Sequence, residues 1–210
     1  TRGDDENSVM ENYRRLAEAV GFSVENIVTS DQTHTANVRV ITEADRGNGI
    51  TKPRPYTDVD GMITDVPGLV LVTSYADCVP LYFVDPVNRA IGLSHSGWRG
   101  TVNRMGKKTL EVMNCEFGTQ ADDVIAAVGP SICMQCYEIS EDVAVEFMKA
   151  FDGYTDEILK DKGCGKFLLD LWKCNQIILL EAGVKRQNIA VTDICRRMLM
   201  GKCCPKSRHI

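Results

Sequence analysis

The sequence predicts a layered α/β fold of the mixed kind (α+β mixed), in which mixed β-sheets are flanked by helices. Three observations predict it. Short β-branched and aromatic runs interleave with segments of helical periodicity but keep no strict βαβ rhythm, which argues against a purely parallel sheet. The 210 residues suffice for one sizeable core, and 44 % hydrophobic with 25 % charged residues is an ordinary globular composition. Three apolar runs also crowd into residues 69–93 and end in residues that carry chemistry. A single domain over residues 1–210 is expected.

Taken in order, Asp4 and Asp5 offer cap oxygens to a helix with Val9, Tyr13, Leu16, Ala17 and Val20 at helical spacing, which Gly21 stops. Strands are expected at 26–29 and 37–41, with His34 in the polar link between them. Residues 42–61 read as a long loop broken by Gly47, Gly49, Pro53 and Pro55, which suggests a binding loop or lid. Strands then follow at 69–75, 81–84 and 90–93, the last two joined by the turn residues Asp85-Pro86-Val87-Asn88. Thr101 is placed as the cap of a helix carrying Val102, Met105, Leu110, Met113 and Phe117. A buried strand at 124–128 ends at Gly129-Pro130. Ser140 caps a helix with Val143, Ala144, Phe147 and Phe151 on one face. Asp170 or a neighbour opens another with Leu171, Cys174, Ile178 and Ala182 inward, and a last strand spans 188–192. From Arg196 onward the chain is basic and not periodic.

Composition prunes the function classes. A net charge of -5 leaves no electrostatic footprint for nucleic acid or an anionic membrane. No apolar run has the length of a membrane span, and the N-terminus is too polar for a signal peptide, so a cytoplasmic location is expected. Nine cysteines is a high, odd count; with no secretory signal they are read as mainly reduced, Cys115 and Cys174 as core packing. Cys133 and Cys136 form a C-x-x-C pair, but a zinc ribbon needs a second such pair, and Cys203-Cys204 is not one; they read as packing residues in a turn. There is no phosphate-binding G-x-x-x-x-G-K-[ST], no H-E-x-x-H, no dinucleotide G-x-G-x-x-G after a strand and no deaminase-type H-x-E with P-C-x-x-C. Gly92-Leu93-Ser94-His95-Ser96 fails as a nucleophile elbow because its last position is not Gly.

What is left lies mostly between residues 70 and 101. Asp77-Cys78 follow one apolar run and His95 through Gly100 follow another, so a Cys, a His and an Arg fall at the ends of neighbouring strands. Gly97 and Gly100, around Trp98-Arg99, imply a backbone pressed close to a ligand or to another strand. The chain has three histidines, His34, His95 and His209. Imidazole and thiolate suit zinc or copper, but no short ligand spacing appears. Cys78 is open to two further readings, a small buried residue or a nucleophile paired with His95. Asp77 can orient a histidine, cap a turn or act as a base. Arg99 can hold an anion such as phosphate or stack on a neighbour. Ser131 can offer its hydroxyl to a substrate or simply form a turn, and Glu138 can favour the positive end of the helix it precedes.

The motifs themselves carry a resemblance. Ala76-Asp77-Cys78-Val79-Pro80 followed by Ser94 to Thr101 resembles the T-ADC-P and H-A-G-W-R-G signatures of the YfiH/YlmD-type laccase-domain family. Asp31-Gln32-Thr33-His34 resembles its upstream Q-x-H, Gly129-Pro130-Ser131-Ile132 its G-P-x-I, Cys136-Tyr137-Glu138 its C-Y-E, and Asp193-Ile194-Cys195 its D-x-C. The resemblance spans roughly residues 3 to 195 and implies the YfiH-like fold. The family's opening strand with its G-G-x-S loop is not found. An atypical tail from about 196 stands in place of its F-S-H-R segment, Lys206 to His209 being at best a remnant.

By the same resemblance, His34, Cys78 and His95 form the metal-binding active site, with one zinc per chain, or copper as the alternative. Arg99 and Asp77 join the candidate catalytic residues, and Arg99 and Ser131 the candidate substrate-binding ones. The family is described in two ways. One is a purine nucleoside enzyme that phosphorolyses adenosine, inosine, guanosine or methylthioadenosine and deaminates adenosine. The other is a copper polyphenol oxidase. A four-copper oxidase needs many more imidazoles than three, whereas a single Cys-His-His copper would leave oxygen reduction unexplained. The expected partners are therefore a small-molecule nucleoside and phosphate, with no nucleic acid and no membrane.

Overall fold

The computed structural model describes residues 3–201. The helix α1 (Glu6–Val20) begins where the Asp5 carboxylate accepts the Ser8 N–H at 2.8 Å, and it ends at Gly21 in the left-handed conformation, φ 88°. The chain then lays down β1 (Ile27–Thr29), β2 (Val38–Val40), β3 (Gly61–Thr64), β4 (Val70–Val72), β5 (Val79–Asp85) and β6 (Ala90–Ser96). Two helices, α2 (Trp98–Val102) and α3 (Met105–Phe117), lead to β7 (Ile125–Val128). The remainder is β8 (Glu138–Ser140), α4 (Glu141–Ala150), α5 (Thr155–Ile158), β9 (Leu159–Gly163), β10 (Lys166–Leu169), α6 (Leu171–Glu181), β11 (Ile189–Val191) and α7 (Arg196–Leu199).

Six strands form the central sheet in the order β11-β7-β5-β6-β3-β2. Its two outer pairs are parallel and its inner pairs antiparallel, so the sheet is mixed. A parallel pair, β1 and β4, and an antiparallel trio, β8-β10-β9, make two smaller sheets. Alternation along each strand divides the core between the two faces. Leu81, Phe83, Ala126 and Val128 cluster with Leu110 and Met113 of α3 and with Ile178 and Leu179 of α6. Met62 points the other way and packs with Val28, Ile41, Tyr56, Val59 and Leu69. The layered α/β architecture is the one the sequence predicts.

The differences have physical reasons. No strand is expected at 61–64, yet β3 is fully buried; its opening Gly is a weak strand former and four residues are too few to show a period. The three strands β8, β9 and β10 are likewise unanticipated, since 159–163 is largely polar and solvent-facing. The strand expected at 69–75 stops at Val72, because Gln32 captures both the N–H and the carbonyl of Ser74 at 2.8 Å. The strand expected at 90–93 runs on to Ser96, so His95 belongs to a strand and not to the loop after it. Thr101 does not cap a helix but lies buried inside α2, its hydroxyl donating to the Gly97 carbonyl at 2.9 Å. The expected single helix breaks at Arg104, held left-handed at φ 60° with its guanidinium 4.1 Å above the Phe151 ring and paired to Glu181 at 3.0 Å. The first residues of the tail form α7; Cys203, Cys204 and the segment Lys206 to His209 lie outside the described residues.

Phe83 is 1 % exposed at the centre of the sheet. Its replacement by Ala should cost about 3–5 kcal/mol of unfolding free energy, as deletion of a buried aromatic does. A denaturant titration returning under about 1 kcal/mol would contradict its place in the core.

Candidate metal centre and its cleft

The centre is assembled by strand register. In the antiparallel pair β5–β6, Val79 faces Ser96 and Pro80 faces His95. Cys78, one residue before β5, therefore arrives beside His95 and Gly97. His34 reaches the same point from the link between β1 and β2, its ring 4.9 Å from that of His95 at 76°. The ligand atoms of His34, Cys78 and His95 all lie within 4.8 Å of one another. His95 is buried, Cys78 half-buried and His34 exposed, so the trio is anchored at the bottom and open at the top.

The group that fixes this geometry is Asp60, which is completely buried. One carboxylate oxygen meets His95 Nδ1 at 2.7 Å. The carboxylate also accepts the backbone N–H of Thr33, His34 and Thr35 at 3.2, 3.2 and 2.8 Å, and the Thr35 hydroxyl at 2.9 Å. Burial opposes its ionisation, but the bonds from His95 and Thr35 outweigh this and hold the Asp60 carboxyl down at about 2. With Nδ1 engaged, His95 is left with Nε2 as its ligand atom, on the side of Cys78. His34 sits at φ 66°, a left-handed conformation uncommon for a non-glycine residue, and its N–H is one of those that Asp60 binds. Asp77 was one candidate for orienting a histidine; the residue that orients His95 is Asp60, which the sequence does not single out.

The residues fit a soft divalent ion. Burial alone would lower His95, yet the Asp60 carboxylate and the Cys78 thiol raise it to about 9, so without an ion the ring carries a proton. A cation at Nε2 satisfies the same surroundings. Gly97 supplies the space: a Cβ there would stand 3.0 Å from Cys78 Sγ and 3.2 Å from His34 Cδ2. Its φ of -73° makes no demand for glycine, so the requirement is room beside the ligands. Two imidazoles and one thiolate leave a fourth tetrahedral position open, as in catalytic zinc sites.

His34 and Cys78 also line a cleft of about 130 Å³, walled by Asp77, Trp98, Arg99, Ile132, Tyr137 and Leu171. Arg99 stacks on Trp98 at 4.3 Å while lining the cleft. Burial and the neighbouring Cys78 and Asp77 push the Tyr137 hydroxyl up to about 12, which keeps it a neutral donor. Ser131 is not brought to the cleft: it is fully buried, and its hydroxyl accepts the Trp172 indole N–H. Glu138 is exposed and pairs with Lys162. A larger cavity of about 420 Å³ lies between α1 and residues 49–53, but it contains no histidine or cysteine.

Residues 1–198 match the family described as multi-copper polyphenol oxidoreductase laccase, and the chain belongs to that family. Among similar proteins, adenosine deaminase RL5 from an unknown prokaryotic organism is 36 % identical over 93 % of this chain and 74 % of its own length. Purine nucleoside phosphorylase YlmD of Geobacillus stearothermophilus is 34 % identical over 92 % of this chain and 71 % of its own. The crystal structure of YlmD from Geobacillus stearothermophilus superposes with a TM-score of 0.90 at 34 % identity, covering 95 % of this chain and 74 % of that one. The Bacillus licheniformis protein YfiH superposes with a TM-score of 0.87 at 29 % identity, over 92 % and 73 %. The YfiH/YlmD resemblance and the mixed α/β fold are thus both found.

Protein purified without reductant should carry about one transition-metal ion per chain in this three-ligand site. His34→Ala or Cys78→Ala should remove it; full occupancy of both variants by elemental analysis would exclude the trio. Asp60→Asn should weaken the metal by about 10–100-fold, the usual effect of losing an outer-shell partner. Gly97→Ala should weaken it comparably by crowding Cys78 and His34. A competition titration against a chromophoric chelator reads both variants, and unchanged affinity would remove the role assigned here to each position.

Proposed function

We propose that the chain is a metal-dependent purine nucleoside enzyme, phosphorolysing adenosine, inosine, guanosine or methylthioadenosine and deaminating adenosine. The observation that carries the reading is the three-ligand site, His34, Cys78 and His95, of which His34 and Cys78 line a cleft with an arginine in its wall. The names of the similar proteins, phosphorylase and deaminase, support it. Zinc suits the ligand set, and when bound it supplies a Lewis acid and a water of lowered pKa.

The protein's own residues do the rest. Asp60 bonds the His95 ring and the His34 backbone N–H, so both ligands are positioned before an ion binds. In phosphorolysis a phosphate oxygen bonds to C1′ of the ribose, the bond from C1′ to the purine nitrogen breaks, and the purine takes a proton. Arg99, stiffened by its stacking on Trp98, holds the phosphate through its planar fork. Asp77 is the carboxylate of the cleft wall and Tyr137 a neutral hydroxyl, the two groups placed to exchange hydrogen bonds with the nucleoside. In deamination a water oxygen bonds to C6 and ammonia leaves. The cleft is smaller than the ~300–1,000 Å³ typical of ligand pockets, so a nucleoside occupies it with one end and extends over the rim.

The family description keeps a copper oxidase as the second reading. Against it stands the histidine count: two of the three histidines are spent on this one ion. Chromatography of adenosine, inosine and methylthioadenosine reactions with and without phosphate separates the cases. Free base and ribose phosphate are expected only with phosphate, and inosine from adenosine without it. No nucleoside turnover, with oxygen-consuming oxidation of a phenol on copper loading, would establish the oxidase instead. Arg99→Ala should lower phosphorolysis by about 10-fold or more, as loss of a charged anchor does, and deamination much less. Equal losses would assign Arg99 to the shared purine pocket.

A further inference from the structure

Behind the wall of the cleft, three sulfurs converge. Sγ of Cys133, Cys136 and Cys195 all lie within 4.8 Å of one another, with Cys133 and Cys195 buried and Cys136 half-buried. The C-x-x-C pair lacks a second pair in the sequence, but its third member comes from 59 positions further on. A parallel bridge between Ser131 and Cys195 delivers it, closed by Ser131 N–H to the Ile194 carbonyl at 3.3 Å and Arg196 N–H to the Ser131 carbonyl at 3.0 Å. The Cys133 N–H donates to Cys195 Sγ at 3.4 Å, and that sulfur lies 3.8 Å from Cys136 Sγ.

The spacing has a chemical meaning. With zinc–sulfur bonds of about 2.3 Å, two sulfurs on one tetrahedral ion stand about 3.8 Å apart. That is the separation found between Cys195 and Cys136. Burial raises Cys195, but the N–H groups of Met198 and Cys133 at its sulfur outweigh this and bring the thiol below its ordinary value. Cys133, desolvated and bonded to Cys195, is pushed up to about 11. Cys136 is disulfide-bonded in the structure, so it becomes a ligand only on reduction.

We propose that Cys133, Cys136 and Cys195 form a second, all-sulfur zinc site that is filled in the reduced protein and emptied when a small-molecule disulfide re-forms the S–S bond of Cys136 by thiol–disulfide exchange, itself leaving as two thiols. Reduction by a dithiol breaks the S–S bond of Cys136 with two electrons. Each released sulfur takes a proton, and the dithiol closes to its own disulfide. Zinc then displaces the thiol protons and joins the loop 129–137 to the segment after β11. Because Ile132 and Tyr137 of that loop line the cleft, the site sets the rigidity of the cleft wall.

The full chain, reduced anaerobically with a dithiol, desalted and titrated with zinc, should bind two ions per chain, and one after oxidation. Cys133→Ser with Cys195→Ser should bind one in either state, and His34→Ala should bind one only when reduced. Cobalt in reduced His34→Ala should give near-ultraviolet thiolate charge-transfer bands that oxidation abolishes. Reduced wild type binding a single ion, or a double serine variant still binding two, would overturn the proposal. Should the serine variant fail to fold, reduced His34→Ala decides alone: no ion and no charge-transfer bands overturns it. A loss of the His34 ion with the sulfur ion retained leaves this inference standing whatever the fate of the nucleoside reading.

Discussion

The centre depends on one buried carboxylate. Asp60 has no exposed surface and accepts from a histidine, three consecutive backbone N–H groups and a hydroxyl. A charge so placed is tolerable only because every one of those donors is present. Removing one partner of such a buried arrangement costs about 3–5 kcal/mol, since the charge that is left stays desolvated. The same bonds that make the charge tolerable therefore impose the left-handed turn at His34 and the outward nitrogen of His95. Two candidate ligands from chain segments about sixty residues apart are positioned by a single anion.

The sheet supplies the third ligand and the space. Antiparallel register brings Cys78 alongside Gly97 because β5 begins where β6 ends. The hydrogen bonds that close this end are equally specific: Gly129 N–H to the Pro80 carbonyl at 2.8 Å and Ile132 N–H to the Asp77 carbonyl at 3.0 Å. On the opposite face of β6, the Ser94 hydroxyl meets Thr109 of α3 at 2.7 Å, and Ser96 meets both Thr101 and Asn175 at 3.0 Å. These buried polar side chains satisfy one another, so β6 cannot slip by a residue without orphaning them. His95 is held in register from behind as well as by Asp60.

The legible part of the sequence was the part with local signals. Asp5 and Gly21 mark both ends of α1, Asp170 accepts the Lys173 N–H at 2.9 Å to start α6, and alternation or apolar runs mark β5, β7 and β11. The candidate ligands were legible only through motifs, because His34 comes from the link between β1 and β2, Cys78 from the residue before β5 and His95 from within β6, and they share no spacing. Asp60 was hidden for a simpler reason. It is one acid among 29 acidic residues, in a stretch that reads as loop, and its importance arises from partners 25–35 positions away. The break at Arg104 was hidden likewise, since Phe151 and Glu181, which hold it, are distant in sequence. Cys195 as neighbour to the C-x-x-C pair follows from the pairing of two loops, which no periodicity encodes.

The loop 129–137 is where these constraints meet. From the cleft side its Ile132 is bonded to the residue next to Cys78; from behind, its Ser131 and Cys133 are bonded to residues 194–196. Consecutive residues are thus tied alternately forward and back, which leaves the backbone almost no freedom to shift. A wall fixed in this way can hold Tyr137 and Ile132 against a substrate with little entropy left to lose on binding. Its rigidity, however, is borrowed from a segment with a single short helix, α7, and few apolar contacts, the kind of element that opens locally before the core does. Whatever secures residues 195–199 therefore acts on the cleft without touching a ligand. Among the described residues, the Cys133 N–H on Cys195 Sγ and the Arg197 guanidinium on the Cys136 carbonyl at 3.3 Å tie the two segments there.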